Sequence, residues 1–168
     1  MLTPSQSSFV LETLRVSLAA AAADVDQAGL ASLARAAAAL APADLREPHP
    51  AWPPLGEAVS RHFEVGPDDT AAAMGHPDDD VQVLGSPRLA LWFELVTCDL
   101  LPAPTAELSH VGAGILVHHL GAAALGETVT VECTAASASG KRAVFTSRAV
   151  VGDRLVALGT HHRALVVR

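Results

Sequence analysis

Positive charge is scarce in this chain. Eleven Lys and Arg face eighteen Asp and Glu over 168 residues, a formal net charge of -7, and a nucleic-acid binder needs a basic face that this balance does not supply. An anionic ligand would have to find a local cluster of arginine. Cysteine is scarcer still. Cys98 and Cys133 are too few for a disulfide framework, and both fall in apolar segments, as buried thiols of a reducing compartment do. Long apolar runs are missing as well. The segment VSLAAAAA has Glu12 and Arg15 upstream and Asp24 and Asp26 downstream, so it falls well short of the roughly 20 residues of a membrane span. It also lacks the basic region of a targeting signal. No nucleic-acid or membrane partner is expected, and a cytoplasmic location is the default. Eight histidines are present, but no Cys-x-x-Cys or His-x-x-x-His spacing accompanies them. No metal and no other cofactor is expected.

What the chain does have is apolar material, 50% of its residues, enough for one domain with a sizeable core and a small appendage. The segments SSFVLETLRVSLAAAAA and DQAGLASLARAAAAL read as two alanine-rich helices, with Phe9, Val10, Leu14 and Leu18 on one and Leu30, Leu33 and Leu40 on the other at helical spacing. PADLREPHPAWPPLG is an extended, proline-rich connector. Residues 1–50 are therefore expected to be a helical appendage with its linker, and 55–168 the main domain. The acidic stretch GPDDTAAAMGHPDDD is a loop with at most a helical turn.

GSPRLALWFELVTCDLL, residues 85–101, predicts a long apolar helix. Ser86 can cap it, Pro87 suits its first position, and Pro102 and Pro104 stop it. Apolar residues cover more than one stripe, which marks a helix packed on several sides. Glu94 sits near its middle. The plain reading puts Glu94 on one wet stripe with Arg88 and Thr97; a buried lone carboxylate would cost several kcal/mol and need a reason.

After this helix the period changes to two. ELSHVGAGILVHHL, GETVTVECTAAS, RAVFTSRAVV and RLVALGTHHRALVV are strand-like, and SGK and GDR suit hairpin turns. With RHFEV before the helix, the order is strand, helix, four antiparallel strands. The expectation is an α+β fold in which a curved antiparallel sheet wraps one long helix.

At the residue level the stretch from about Arg61 to Arg168 resembles the fluoroacetyl-CoA thioesterase family of hotdog proteins. Ser86 opens the helix where that family has a threonine, and Glu94 follows eight positions later as the family glutamate does. ILVHHLGAA sets His119 where the family has its catalytic histidine, and GTHHRALV is similar to the family's Gly-Thr-His-x-Arg strand, here Gly159, Thr160, His161 and Arg163. The resemblance implies the hotdog fold, hydrolysis of a small or medium acyl-CoA or carrier-bound thioester, and Ser86, Glu94 and His119 as the catalytic set. Serine for threonine keeps the hydroxyl. The aromatic residues that cover the family's acyl site have no counterpart in the loop before the helix, so fluoroacetyl selectivity is not carried over.

Thioester hydrolysis needs a nucleophile or activated water, a base, and donors for the oxyanion. Glu94 is the candidate base or nucleophile, His119 the proton carrier within its reach, and Ser86 a nucleophile or an orienting group. His118 points to the other side of its strand. N–H groups at the helix start, around Leu89, form an oxyanion cradle. Gly112 and Gly114 let a ligand approach the strand. Arg142, Arg148, Arg154 and Arg163 are most simply solvated, with Arg163 the candidate for a coenzyme phosphate. The alternative is a non-catalytic hotdog protein that binds a hydrophobic small molecule. A hydratase is weaker, because its Asp-x-x-x-x-His dyad is not apparent. Exposed sheet edges and an uncovered helix face imply a homodimer or a dimer of dimers.

Overall fold

A computed structural model describes residues 47–78 and 80–168; the two alanine-rich helices expected before residue 47 lie outside the described residues. Strand β1 (Ala58–Glu64) leads through two single 3-10 turns, Pro67–Asp69 and Ala72–Met74, to helix α1 (Ser86–Asp99). Strands β2 (Leu108–His119), β3 (Thr128–Ser139), β4 (Arg142–Val151) and β5 (Arg154–Val167) follow. They form one antiparallel sheet in the order β1-β3-β4-β5-β2, with β1 and β2 at its edges. Two tight turns drive this meander: Gly140 and Gly152 adopt φ of 53° and 55°, where a hairpin turn needs a residue without Cβ.

The sheet curves around α1, the hotdog arrangement. Leu89, Trp92, Phe93 and Val96 are buried against Val129, Val131, Cys133, Phe145 and Ala157. Alternation sets these strand residues on one face. Phe63 stacks on Trp92 at 4.6 Å. Phe93 lies so close to β5 that a Cβ on Gly159 would come within 2.6 Å of its ring and 2.5 Å of the Leu116 carbonyl. The core also reaches into the expected linker. Trp52 is buried, meets Phe145 edge-on, and donates its indole N–H to the Gly140 carbonyl.

The far side of α1 is open. Leu91 and Leu95 are exposed beside Glu94, and Ile115 is exposed on β2. Thr97, expected on a wet stripe with Glu94, is instead fully buried, and its hydroxyl bonds the Phe93 carbonyl. Among the described residues no helix is long and apolar enough to cross a membrane.

Candidate functional site

Helix α1 begins without a side-chain cap. Gly85 takes the cap position, and Ser86 and Pro87 are already helical, which corrects the expectation that Ser86 caps and Pro87 comes first. The preceding loop is the cause: Gly85 N–H donates to the Asp69 carbonyl at 2.8 Å, and a Cβ at Gly85 would lie 2.7 Å from Met74 Sδ. A side chain there would require Met74 to move aside. Ser86 is thus released from capping, and its Oγ lies 3.1 Å from His119 Nδ1 at the end of β2.

Burial holds the His119 pKa below the ordinary histidine range, with the Gly121 backbone pulling the other way. The ring is therefore neutral at pH 7. With Ser86 as donor, Nδ1 carries the lone pair and Nε2 the proton, and Nε2 is buried without a hydrogen-bond partner. A neutral imidazole accepting from a hydroxyl is the arrangement that activates an oxygen nucleophile.

Glu94 belongs to a second cluster. Its Oε1 accepts from Arg163 Nη1 at 3.0 Å; Arg163 is 3% exposed and Glu94 46%. Arg163 is consequently not the solvated phosphate ligand expected of it. Its guanidinium donates from Nη2 to His110 Nδ1 and lies 3.4 Å from His161 Nε2. Arginine has only donors, so both histidines present lone pairs and stay neutral. Burial and the arginine charge lower the pKa of His110, and they bring that of His161 to about 4. Cys98, one turn after Glu94, has its thiol pushed up by burial.

The two glycines of β2 part company. A Cβ on Gly112 would sit 3.4 Å from His161 Nε2, 3.5 Å from Glu94 Oε1 and 3.6 Å from Arg163 Nη1, so the missing side chain leaves the second cluster uncovered. Gly114 follows an irregularity in the register and pairs with His162, which faces the other way. Leu89 is fully buried, and its N–H already donates to the Gly85 carbonyl at 3.1 Å, so that amide is not a spare donor.

Ser86 and His119 come together; Glu94 and His119 do not. Eight helical residues from Ser86 to Glu94 rise about 12 Å. Seven strand residues from Gly112, which borders Glu94, to His119 span roughly 20 Å. Among the described residues no hydrogen bond joins Glu94 to His119. The expected reach of one for the other fails within a single subunit, because helix and strand carry them to opposite ends.

The sequence profile of the fluoroacetyl-CoA-specific thioesterase family matches residues 65–168. The chain belongs to that family, a family of thioester hydrolases. A threonine-to-serine variant of the fluoroacetyl-CoA thioesterase in complex with acetyl-CoA is similar at a TM-score of 0.61 and 26% identity, covering 68% of this chain and 90% of that one. A phenylalanine-to-alanine variant of the fluoroacetyl-CoA-specific thioesterase with fluoroacetate and CoA gives 0.61 and 25%, covering 68% and 95%. A hot-dog-like protein from Thermanaerovibrio acidaminovorans gives 0.62 at 23%, covering 68% and 84%, and shows the fold alone. None of the curated proteins searched matches.

Within this fluoroacetyl-CoA thioesterase-like chain, sequence reasoning missed His110 and the inward-facing role of His161 and Arg163. The signal was there in GTHHR: residues two apart on a strand share a face, and His161 and Arg163 share the face of the buried Phe145 and Ala143. Among the described residues no three His, Cys, Asp or Glu side chains gather as a metal site.

Proposed function

We propose that this chain is a thioesterase hydrolysing a small or medium acyl-CoA or carrier-bound thioester, working as a homodimer whose site draws on both subunits. The observation that carries the reading is the Ser86 Oγ to His119 Nδ1 hydrogen bond at the mouth of an apolar helix. His119 takes the Ser86 proton as Oγ attacks the thioester carbon. The C–S bond breaks, His119 returns the proton to the departing thiolate, and an acyl-serine remains. Water, deprotonated by the same ring, then releases the acid and restores Ser86.

Glu94 enters from the second subunit. β2 is a free edge flanked by the exposed Leu91, Leu95 and Ile115, which suits side-by-side pairing of two sheets. An antiparallel pairing of two β2 edges centred near Ile115 sets His119 across from Gly112 of the other copy, and so beside that copy's Glu94. The orphaned Nε2–H of His119 gains its acceptor, and Glu94 gains burial. Oε1 is held by Arg163; Oε2, without a partner among the described residues, is the oxygen free for His119. Arg163 is then a positioning residue for Glu94.

Fluoroacetyl selectivity is no part of this reading, because Met74 is the only large apolar side chain in residues 66–80. The test is hydrolysis of an acyl-CoA panel followed by free-thiol detection, with Ser86→Ala and His119→Ala as controls. Cleavage lost in both variants supports the reading. If no thioester is cleaved while a ligand still binds, the protein is a binder of hydrophobic small molecules instead.

A further inference from the structure

Arg163 holds Glu94, and something must in turn hold Arg163. The guanidinium is 3% exposed, and its Nε has no hydrogen-bond partner among the described residues. Nη1 is shared between Glu94 Oε1 at 3.0 Å and His161 Nε2 at a longer 3.4 Å. An arginine tied only there would follow the half-exposed carboxylate rather than fix it. The second anchor is on Nη2, which donates to His110 Nδ1. Two arms of one rigid fork, engaged on two elements, set both the position and the plane of the group.

The backbone explains why the ring is within reach. Gly112 of β2 pairs with Arg163 of β5, and His110 with Leu165, so His110 and Gly112 share the face over which Arg163 lies. A Cβ on Gly112 would lie 3.6 Å from Nη1. The glycine thus leaves the guanidinium room to extend across β2 to His110. The far side of the ring is engaged as well. The Pro102 carbonyl raises the His110 pKa, as an acceptor of a ring N–H does, and with Nδ1 taken by Arg163 that N–H is on Nε2. Pro102 lies just beyond the end of the helix that carries Glu94. The contacts therefore close a loop, from Glu94 along α1 to Pro102, through the His110 ring to Arg163, and back to Glu94.

We propose that His110 is a positioning residue for hydrolysis, holding the Arg163 guanidinium so that Glu94 keeps one oxygen engaged and turns the other to the reaction; this rests on the thioesterase reading above. His110 itself touches no reacting atom. The role needs a neutral ring, because a protonated one has no lone pair for Arg163 and repels it. Burial and the arginine charge favour that form. The groups that face the ring are Arg163 and His161 from β5 and, beyond the guanidinium, Glu94 and Cys98 from α1.

The experiment uses the full-length protein and the acyl-CoA of the panel that it cleaves fastest. His110→Phe keeps the bulk of the ring and removes its acceptor; kcat should fall about tenfold or more with KM changed by less than about twofold, because a group that only aims Glu94 acts on the chemical step. His110→Asn, whose amide oxygen takes the place of Nδ1, should recover most of that loss. In an Arg163→Lys background His110→Phe should cost little more, since the two act as a unit. An unmoved kcat in His110→Phe, a rise in KM alone, or an equal loss in the phenylalanine and asparagine variants overturns this inference and leaves the thioesterase reading standing. A wild type that cleaves no thioester removes that reading, and this role with it. If His110→Phe does not fold, nitrogen NMR of the histidine rings in the wild type decides without substrate: a proton on Nε2 and a bare Nδ1 on His110 at pH 7 support the chain of contacts, and a proton on Nδ1 overturns it.

Discussion

His119 and Glu94 owe their chemistry to their neighbours more than to their own burial. A lone carboxylate in an apolar helix would need desolvation to act as a base, but Glu94 rests on a buried guanidinium. Glu94→Gln should lower hydrolysis by about a hundredfold, as should His119→Ala, in line with loss of acid-base work. Glu94→Gln also removes the counter-ion of Arg163, so a measurable loss of stability in a denaturant titration is expected alongside. Ser86→Ala should cost as much activity as the other two if the hydroxyl attacks; a loss of only a few-fold would leave water as the nucleophile. Burial alone lowers the His119 pKa, whereas a Glu94 carboxylate brought to Nε2 by a second subunit raises it, so Glu94→Gln should move the acid limb of kcat/KM to lower pH in a pH-rate profile; a limb that does not move would count against Glu94 beside His119.

His161 ties stability to pH with a definite sign. Its folded pKa is about 4, against 6.5 in the unfolded chain, so the unfolded state takes up a proton first as pH falls. The neutral ring is fully compatible with folding above about 6.5, and stability then drops through the window from 6.5 to 4, by up to roughly 3 kcal/mol for this group. His161→Leu should flatten that slope in unfolding curves collected at several pH values.

Among the elements, β5 is the least forgiving. Phe93 and the Leu116 carbonyl both occupy the space a side chain at Gly159 would need, and Gly159→Ala should therefore cost on the order of 1–3 kcal/mol of stability, read as a lower melting temperature. Element types were legible: β-branched alternation in TVTVEC and the GSP start with its apolar run are local signals, and both elements are found where those signals fall. The helix cap was not. Ser86 has the right chemistry for a cap, and only the packing of Met74 and Asp69 on Gly85 moves the start by one residue. The candidate site was legible as residue types but not as a constellation. Spacing puts Ser86, Glu94 and His119 on the right elements without saying that helix and strand run them apart. The Glu94–Arg163 pair depends on a strand register spanning 69 residues, which no local pattern encodes.

At the scale of the whole molecule, the proposed division of the site between two subunits makes a sharp demand. Glu94→Gln and His119→Ala preparations, each inactive alone, should regain about a quarter of wild-type activity after being unfolded and refolded together. Half the dimers formed are hybrids, and each hybrid has one intact site. No recovery, with hybrids demonstrated by mass, would mean each subunit works by itself.

The loop before α1 has a last consequence, one of timing. Asp69 grips Arg88 at 2.6 Å and takes the Gly85 N–H, while Ala71 N–H holds the Val83 carbonyl at 2.7 Å. The rim beside Ser86 is tied to the helix start through Arg88 and Gly85 and to its own loop through Val83, contacts that oppose its swinging with each turnover. On the proposed thioesterase reading it would act as a fixed doorway: acyl groups would be sorted by size as they enter, with no wait in the cycle for a flap to close or for product to be let out.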